Sequence, residues 1–149
     1  MDAIDRKILQ TLTADGRISN QALAERVGLS ASACLRRVAA LEAAGVIAGY
    51  RAVLDPAKLG RGFSAYVGVG LTEHSRAAQD AFERVVATAP EVTECHNVTG
   101  TIEYLLRVDC ADLAAYKRFH GDVLGTIPQV TRLVTYVVMG SPKDGRAGV

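Results

Sequence analysis

Hydrophobic positions in the first sixty residues recur at helical spacing in three short bursts. Ile4, Ile8, Leu9 and Leu12 follow Asp2, a suitable N-cap, and Asp15-Gly16 ends the run. Leu23, Ala24 and Val27 follow a second cap, Ser19. Gly28 stands where a left-handed residue ends a helix, and Leu29 can fold back onto the turn it leaves. Ser30 opens a third helix with Cys34, Leu35, Val38 and Leu41 on one stripe, closed by Gly45. Two helices joined by a tight glycine turn, with a third covering their apolar faces, make a helix-turn-helix plan. Val46 to Leu54 reads as extended, a wing or a first strand. Asp55-Pro56 turns the chain, and Gly60-Arg61-Gly62 is the expected hinge, giving domains at residues 1–60 and 61–149.

Beyond that hinge the period changes. From Ser64 to Leu71 the residues alternate, with Ala65, Val67, Val69 and Leu71 on one face and Ser64, Tyr66, Gly68 and Gly70 on the other. Ala77 to Ala89 is helical, with Ala78, Phe82, Val85 and Val86 inward, and Pro90 stops it. Val92 to Val98 and Glu103 to Cys110 are strands around a Thr99-Gly100-Thr101 turn. Asp112 caps a helix carrying Leu113, Tyr116, His120, Val123 and Leu124, and Val130 to Met139 is the last strand. The order βαββαβ predicts a ferredoxin-like second domain, so the fold class is α+β. The chain after Pro142 is expected to be loose. Helices cover one face of such a sheet, while the last strand is apolar on both. A homodimer built sheet against sheet is the expected cover, with Gly68 and Gly70 admitting a neighbouring backbone. The alternative is that the first domain or a crossing loop covers that face.

Composition narrows the choice of function. The chain has 149 residues, a net charge of +1 and 49% hydrophobic residues, which suits one or two small packed domains and excludes a polycation or a disordered chain. Residues 1–60 carry eight Lys/Arg against six Asp/Glu, a slight bias toward an anionic partner. Cys34, Cys95 and Cys110 form no C-x-x-C pair, so no zinc ribbon or redox motif is expected, and three thiols without a signal peptide point to the cytoplasm. No apolar run reaches the roughly 20 residues that span a bilayer, and no membrane partner is expected. His74, His96 and His120 are scattered, with neither metal-ligand spacing nor a Ser-His-Asp order. No catalytic residue, metal or cofactor is therefore predicted.

The third helix carries the sharpest chemical signal. At about 100° per residue, Arg36 points away from the buried side set by Leu35, Val38 and Leu41, with Ser32 and Ala43 flanking it and Arg37 at the edge. Small side chains permit close approach to a major groove, an arginine donates two bonds to guanine, and hydroxyls reach phosphates. Ser19 and Ser30 also aim helix N-termini toward phosphates. The expected DNA-binding residues are Ser19, Asn20, Ser30, Ser32, Ala33, Arg36 and Arg37. Arg36 is expected to read a base and Arg37 to meet phosphate.

The stretch "IDRKILQTLTADGRISNQALAERVGLSASACLRRVAALEAAGVIAGY" resembles the DNA-binding half of the Lrp/AsnC, or feast/famine, regulators. "PEVTECHNVTGTIEYLLRV" and "VTRLVTYVVM" resemble their effector half, so the likeness runs from about Ile4 to Met139. It implies an N-terminal winged helix-turn-helix, a βαββαβ regulatory domain, dimers assembling toward octamers, promoter DNA as partner and an amino acid as effector. It also implies an effector site at the turn between the second and third regulatory strands. By that resemblance the site residues are Asn97, Thr99, Gly100, Thr101, Glu103 and Tyr136. The chemistry fits, since turn N–H groups hold a carboxylate and Glu103 accepts from an ammonium. Relatives commonly carry an acidic residue at position 101 and aspartate at 103, where this chain has Thr101 and Glu103. Two alternatives follow from the same likeness. One is an enzyme of the siroheme decarboxylase kind, and the other is an amino-acid sensor without DNA binding.

Overall fold

The structure, a computed structural model, describes residues 1–143. Its contacts divide the chain into two compact units, Met1–Val53 and a second that begins at Leu54. The expectation for the chain beyond Pro142 falls almost wholly outside the described residues.

The first unit holds α1 (Ala3–Ala14), α2 (Asn20–Val27) and α3 (Ala31–Ala43). Each begins at a residue whose side chain satisfies an otherwise unpaired N–H. Asp2 accepts from Asp5 in a reciprocal capping box, Ser19 from Ala22 and Ser30 from Ala33. Gly28 ends α2 at φ +77°, and the amide of Leu29 reaches back to Ala24 O at 2.9 Å. That left-handed residue reverses the chain so that Leu29 packs into the core. Ile8, Leu23, Ala24, Val27, Cys34 and Leu41 form this core.

Two expectations differ here. Leu35 is 58% exposed, so it does not belong to the inward stripe. The stripe is Cys34 and Leu41 with Val38 half-buried, and Leu35 lies a further 100° round the helix from Cys34. The segment after α3 forms no strand ladder within the described residues. Ile47 packs onto the core, and Tyr50 donates to Glu42 Oε1 at 2.9 Å.

The second unit is a four-stranded sheet in the order β2-β3-β1-β4, made of β1 (Phe63–Leu71), β2 (Val92–Asn97), β3 (Tyr104–Cys110) and β4 (Val130–Val137). Every pairing is antiparallel. Helix α4 (Arg76–Ala87) links β1 to β2, and α5 (Leu113–Asp122) with a 3₁₀ turn at Leu124–Thr126 links β3 to β4. This is the βαββαβ plan. Val67, Val69, Leu106 and Val108 meet Phe82, Val86, Tyr116 and Phe119 in the core. The inward stripes of the helices differ slightly from expectation. Val85, expected inward, is exposed, and on α5 the buried residues are Tyr116 and Phe119.

The other face of the sheet carries Tyr66, Arg107, Asp109, Val134 and Tyr136. Here Arg107 Nε meets Asp109 Oδ2 at 3.2 Å, and Ser64 and Thr93 donate to the same carboxylate. The space above Gly68 is filled from within the chain, because a Cβ there would stand 2.9 Å from Ile102 Cδ1. The β2–β3 loop therefore folds over this end of the face.

Candidate DNA-reading surface and effector loop

The outward face of α3 presents Ser32, Leu35, Arg36, Ala39, Ala40 and Ala43, all exposed. Arg36 has no hydrogen bond or ion pair with any described residue. Its neighbour behaves oppositely. Arg37 Nη1 lies 2.8 Å from Asp2 Oδ2 and 2.8 Å from Asp5 Oδ1, both at the start of α1. The adjacent backbone N–H groups come first, and the guanidinium second, in holding Asp2 down to about 2 and Asp5 below the usual carboxylate range. Arg37 thus ties α3 to α1, a pairing hinted at by its flank position and by two aspartates within one turn of α1.

The serines act first as caps. Ser30 Oγ and Ser32 Oγ also stand 3.3 Å apart. Asn20 Nδ2 donates to Ala31 O at 2.9 Å, pinning the start of α2 to the start of α3. Ala33 is half-buried on the same turn as Ser32. Ser19, Asn20, Ser30, Ser32 and Ala33 therefore gather where the two helices begin.

Thr99, Gly100 and Thr101 are exposed at the tip of the β2–β3 loop, with Gly100 at φ +133°. Glu103 follows where the loop joins β3. Its amide donates to Val69 O at 2.9 Å, and its Oε2 accepts from Leu71 N–H at 2.7 Å. Its Oε1 lies 3.2 Å from His74 Nδ1. The glutamate is 15% exposed while His74 is 83% exposed. No pattern in the sequence pointed to His74 as a neighbour.

The remaining expected effector residues make no hydrogen bond to the Glu103 carboxylate. Asn97 pairs with Tyr104 and shares the helix-side face of the sheet, although its Nδ2 reaches Glu103 O at 3.3 Å. It lines a groove of about 430 Å³ with Glu83, Cys95 and Tyr104. Burial, then a 2.6 Å hydrogen bond to Glu83, pushes the Tyr104 phenol up to about 12. Tyr136 sits opposite Tyr66, four positions along β1 from Gly70, or about 13 Å from the level of Glu103. Within one chain the loop residues and Glu103 come together, and Tyr136 does not join them.

Residues 64–148 match the Lrp/AsnC ligand binding domain, and residues 1–48 match a winged helix-turn-helix DNA-binding domain. The chain belongs to the Lrp/AsnC family. The leucine-responsive regulatory protein of Escherichia coli K12 is 43% identical to this Lrp/AsnC member over 147 residues, covering 97% of this chain and 88% of that protein. The proline dehydrogenase transcriptional activator of Rhizobium radiobacter is 40% identical over 144 residues, covering 97% and 92%. Among solved structures, the L-methionine complex of a Neisseria meningitidis transcriptional regulator superposes with a TM-score of 0.92 at 36% identity, covering 97% of this chain and 93% of that one. AsnC of E. coli superposes with a TM-score of 0.85 at 27% identity, covering 97% and 95%.

The chain is thus a transcriptional regulator of the Lrp/AsnC type, with a DNA-binding helix-turn-helix and a ligand-binding domain. The family is one of regulators rather than enzymes, and the comparisons lend no support to a decarboxylase or to a sensor without DNA binding. Among the described residues, no group of three or more His, Cys, Asp or Glu side chains could hold a metal ion, and no helix is long and apolar enough to cross a membrane.

Proposed function

We propose that this Lrp/AsnC regulator reads promoter DNA through the outward face of α3 and changes its DNA affinity when an amino acid occupies the β2–β3 loop. The observation that carries the reading is the contrast between neighbouring arginines. Arg37 is committed to Asp2 and Asp5, while Arg36 is exposed and unpaired among small residues. A free guanidinium on such a face suits bidentate contact with guanine O6 and N7. Leu35, beside it and exposed, suits a thymine methyl. Ser19, Asn20, Ser30, Ser32 and Ala33 lie where backbone phosphates would pass.

The effector is an apolar α-amino acid of the kind named for the relatives, leucine or methionine. Its carboxylate meets the amides and hydroxyls of Thr99, Gly100 and Thr101, and its ammonium meets Glu103. Asn97 borders the loop, and Tyr136 would enter the same site from a second copy. The chain works in the cytoplasm as a homodimer joined sheet against sheet, and dimers assemble toward octamers. The operator then carries two half-sites in successive major grooves. Target genes concern amino-acid uptake or breakdown.

The test is footprinting of the chain on its own upstream region with and without a panel of amino acids. Protection of paired half-sites, altered by an apolar amino acid in the wild type and unaltered in Glu103→Ala, supports the reading. An Arg36→Ala variant with the wild-type footprint and affinity rejects it.

A further inference from the structure

We propose that His74 competes with the effector ammonium for Glu103, making it a positioning residue that tunes the effector site. The inference rests on the amino-acid site proposed above. A carboxylate offers two oxygens, and here they have different fates. Oε2 is committed to the chain, because it accepts the Leu71 N–H at 2.7 Å. That amide needs it. The β1–β3 ladder ends at the Val69–Tyr104 pair, and the side chain of Glu103 takes up the Leu71 donor beyond it. Releasing Oε2 would leave a part-buried N–H without a partner. Oε1 has no main-chain donor and is the oxygen more open to a bound cation, and His74 Nδ1 stands 3.2 Å from it.

The two residues are mounted differently. Glu103 is 15% exposed and fixed to the sheet, while His74 is 83% exposed in the loop between β1 and α4. An incoming ammonium displaces the exposed partner, not the anchored one. Once protonated, the imidazole is a cation holding the same oxygen, so the competition strengthens as pH falls. Histidine is the side chain whose ordinary charge change lies between about pH 5 and 8. The other charged groups nearby are accounted for. Glu73 in the same loop accepts from Ser75, and Arg76 at the start of α4 pairs with Asp80 at 2.9 Å. Arg132 of β4 flanks Gly70 on the far side from β3, and it makes no ion pair with Glu103 or His74. His74 is thus the side chain seated on the free edge of the glutamate.

Calorimetric titration of the full chain with L-leucine and with L-methionine, at about pH 6 and about pH 8, tests this. The wild type binds more weakly at the lower pH. His74→Ala removes most of that dependence and binds roughly two- to fivefold tighter at about pH 6, the range expected for an exposed charge pair. His74→Lys, a permanent cation, binds weakly at both. If Glu103→Ala abolishes binding while His74→Ala keeps the wild-type affinities and pH dependence, His74 has no such role and the site stands. If Glu103→Ala binds like the wild type, or neither amino acid binds the wild type, the site itself fails and takes this inference with it.

Discussion

Arg36 and Arg37 share a residue type and nothing else. Arg36 projects from the face of α3 opposite Cys34 and Leu41, and Arg37 lies on the flank against α1. Replacing Arg36 by alanine should reduce discrimination between operator and mismatched DNA by about 1–3 kcal/mol, read from binding isotherms, and leave thermal stability unchanged. Arg37→Ala should instead lower the melting temperature and weaken binding to all sequences alike, because its partners are carboxylates of the same chain. The same cluster makes the first unit sensitive to acid. Asp2 is held down to about 2 and Asp5 is lowered too. Depressed carboxylates stabilise the fold above about pH 4, the unfolded value, and that contribution is lost as pH falls toward 2. Helical circular dichroism followed through that window should show the loss, and Arg37→Ala should shrink it.

At the level of elements, caps and periodicity were legible in the residues alone. Ser19, Gly28 and Ser30 delimit α2 and α3 as expected, and the alternation from Ser64 to Leu71 sorts its residues onto the two faces of β1 as read. Gly28→Ala tests the turn directly. Its φ of +77° admits an L residue only with strain, so the substitution should cost about 1 kcal/mol in denaturant unfolding, although nothing lies within 4 Å of the added carbon. What escaped the sequence depends on which neighbour a side chain meets. Leu35 fits an apolar stripe by spacing, yet α1 and α2 reach only the Cys34 side of α3. Gly68 was expected to admit a second chain, but Ile102 from the adjoining loop occupies the space above it. The loop residues of the candidate effector site could be named in advance. The His74–Glu103 pair could not, because a loop histidine becomes a neighbour only through the register of β1 and β3.

On the scale of the whole molecule, the sheet leaves Tyr136 and Val137 exposed on β4, beside Tyr66 and the Arg107–Asp109 pair. If copies join through this face, Tyr136→Asp should shift the sedimentation profile toward monomer, since a carboxylate would be buried without a partner. An unchanged profile would place the interface elsewhere. The two hydrophobic interiors share no residue. One is built from residues 8–41 and the other from residues 65–127. A recombination breakpoint between Leu54 and Gly62 severs neither. Chimeras that graft a foreign sensor onto this reader, or the reverse, are accordingly the rearrangements such an architecture withstands best, and new pairings of signal and operator can arise by shuffling halves without redesigning either interior.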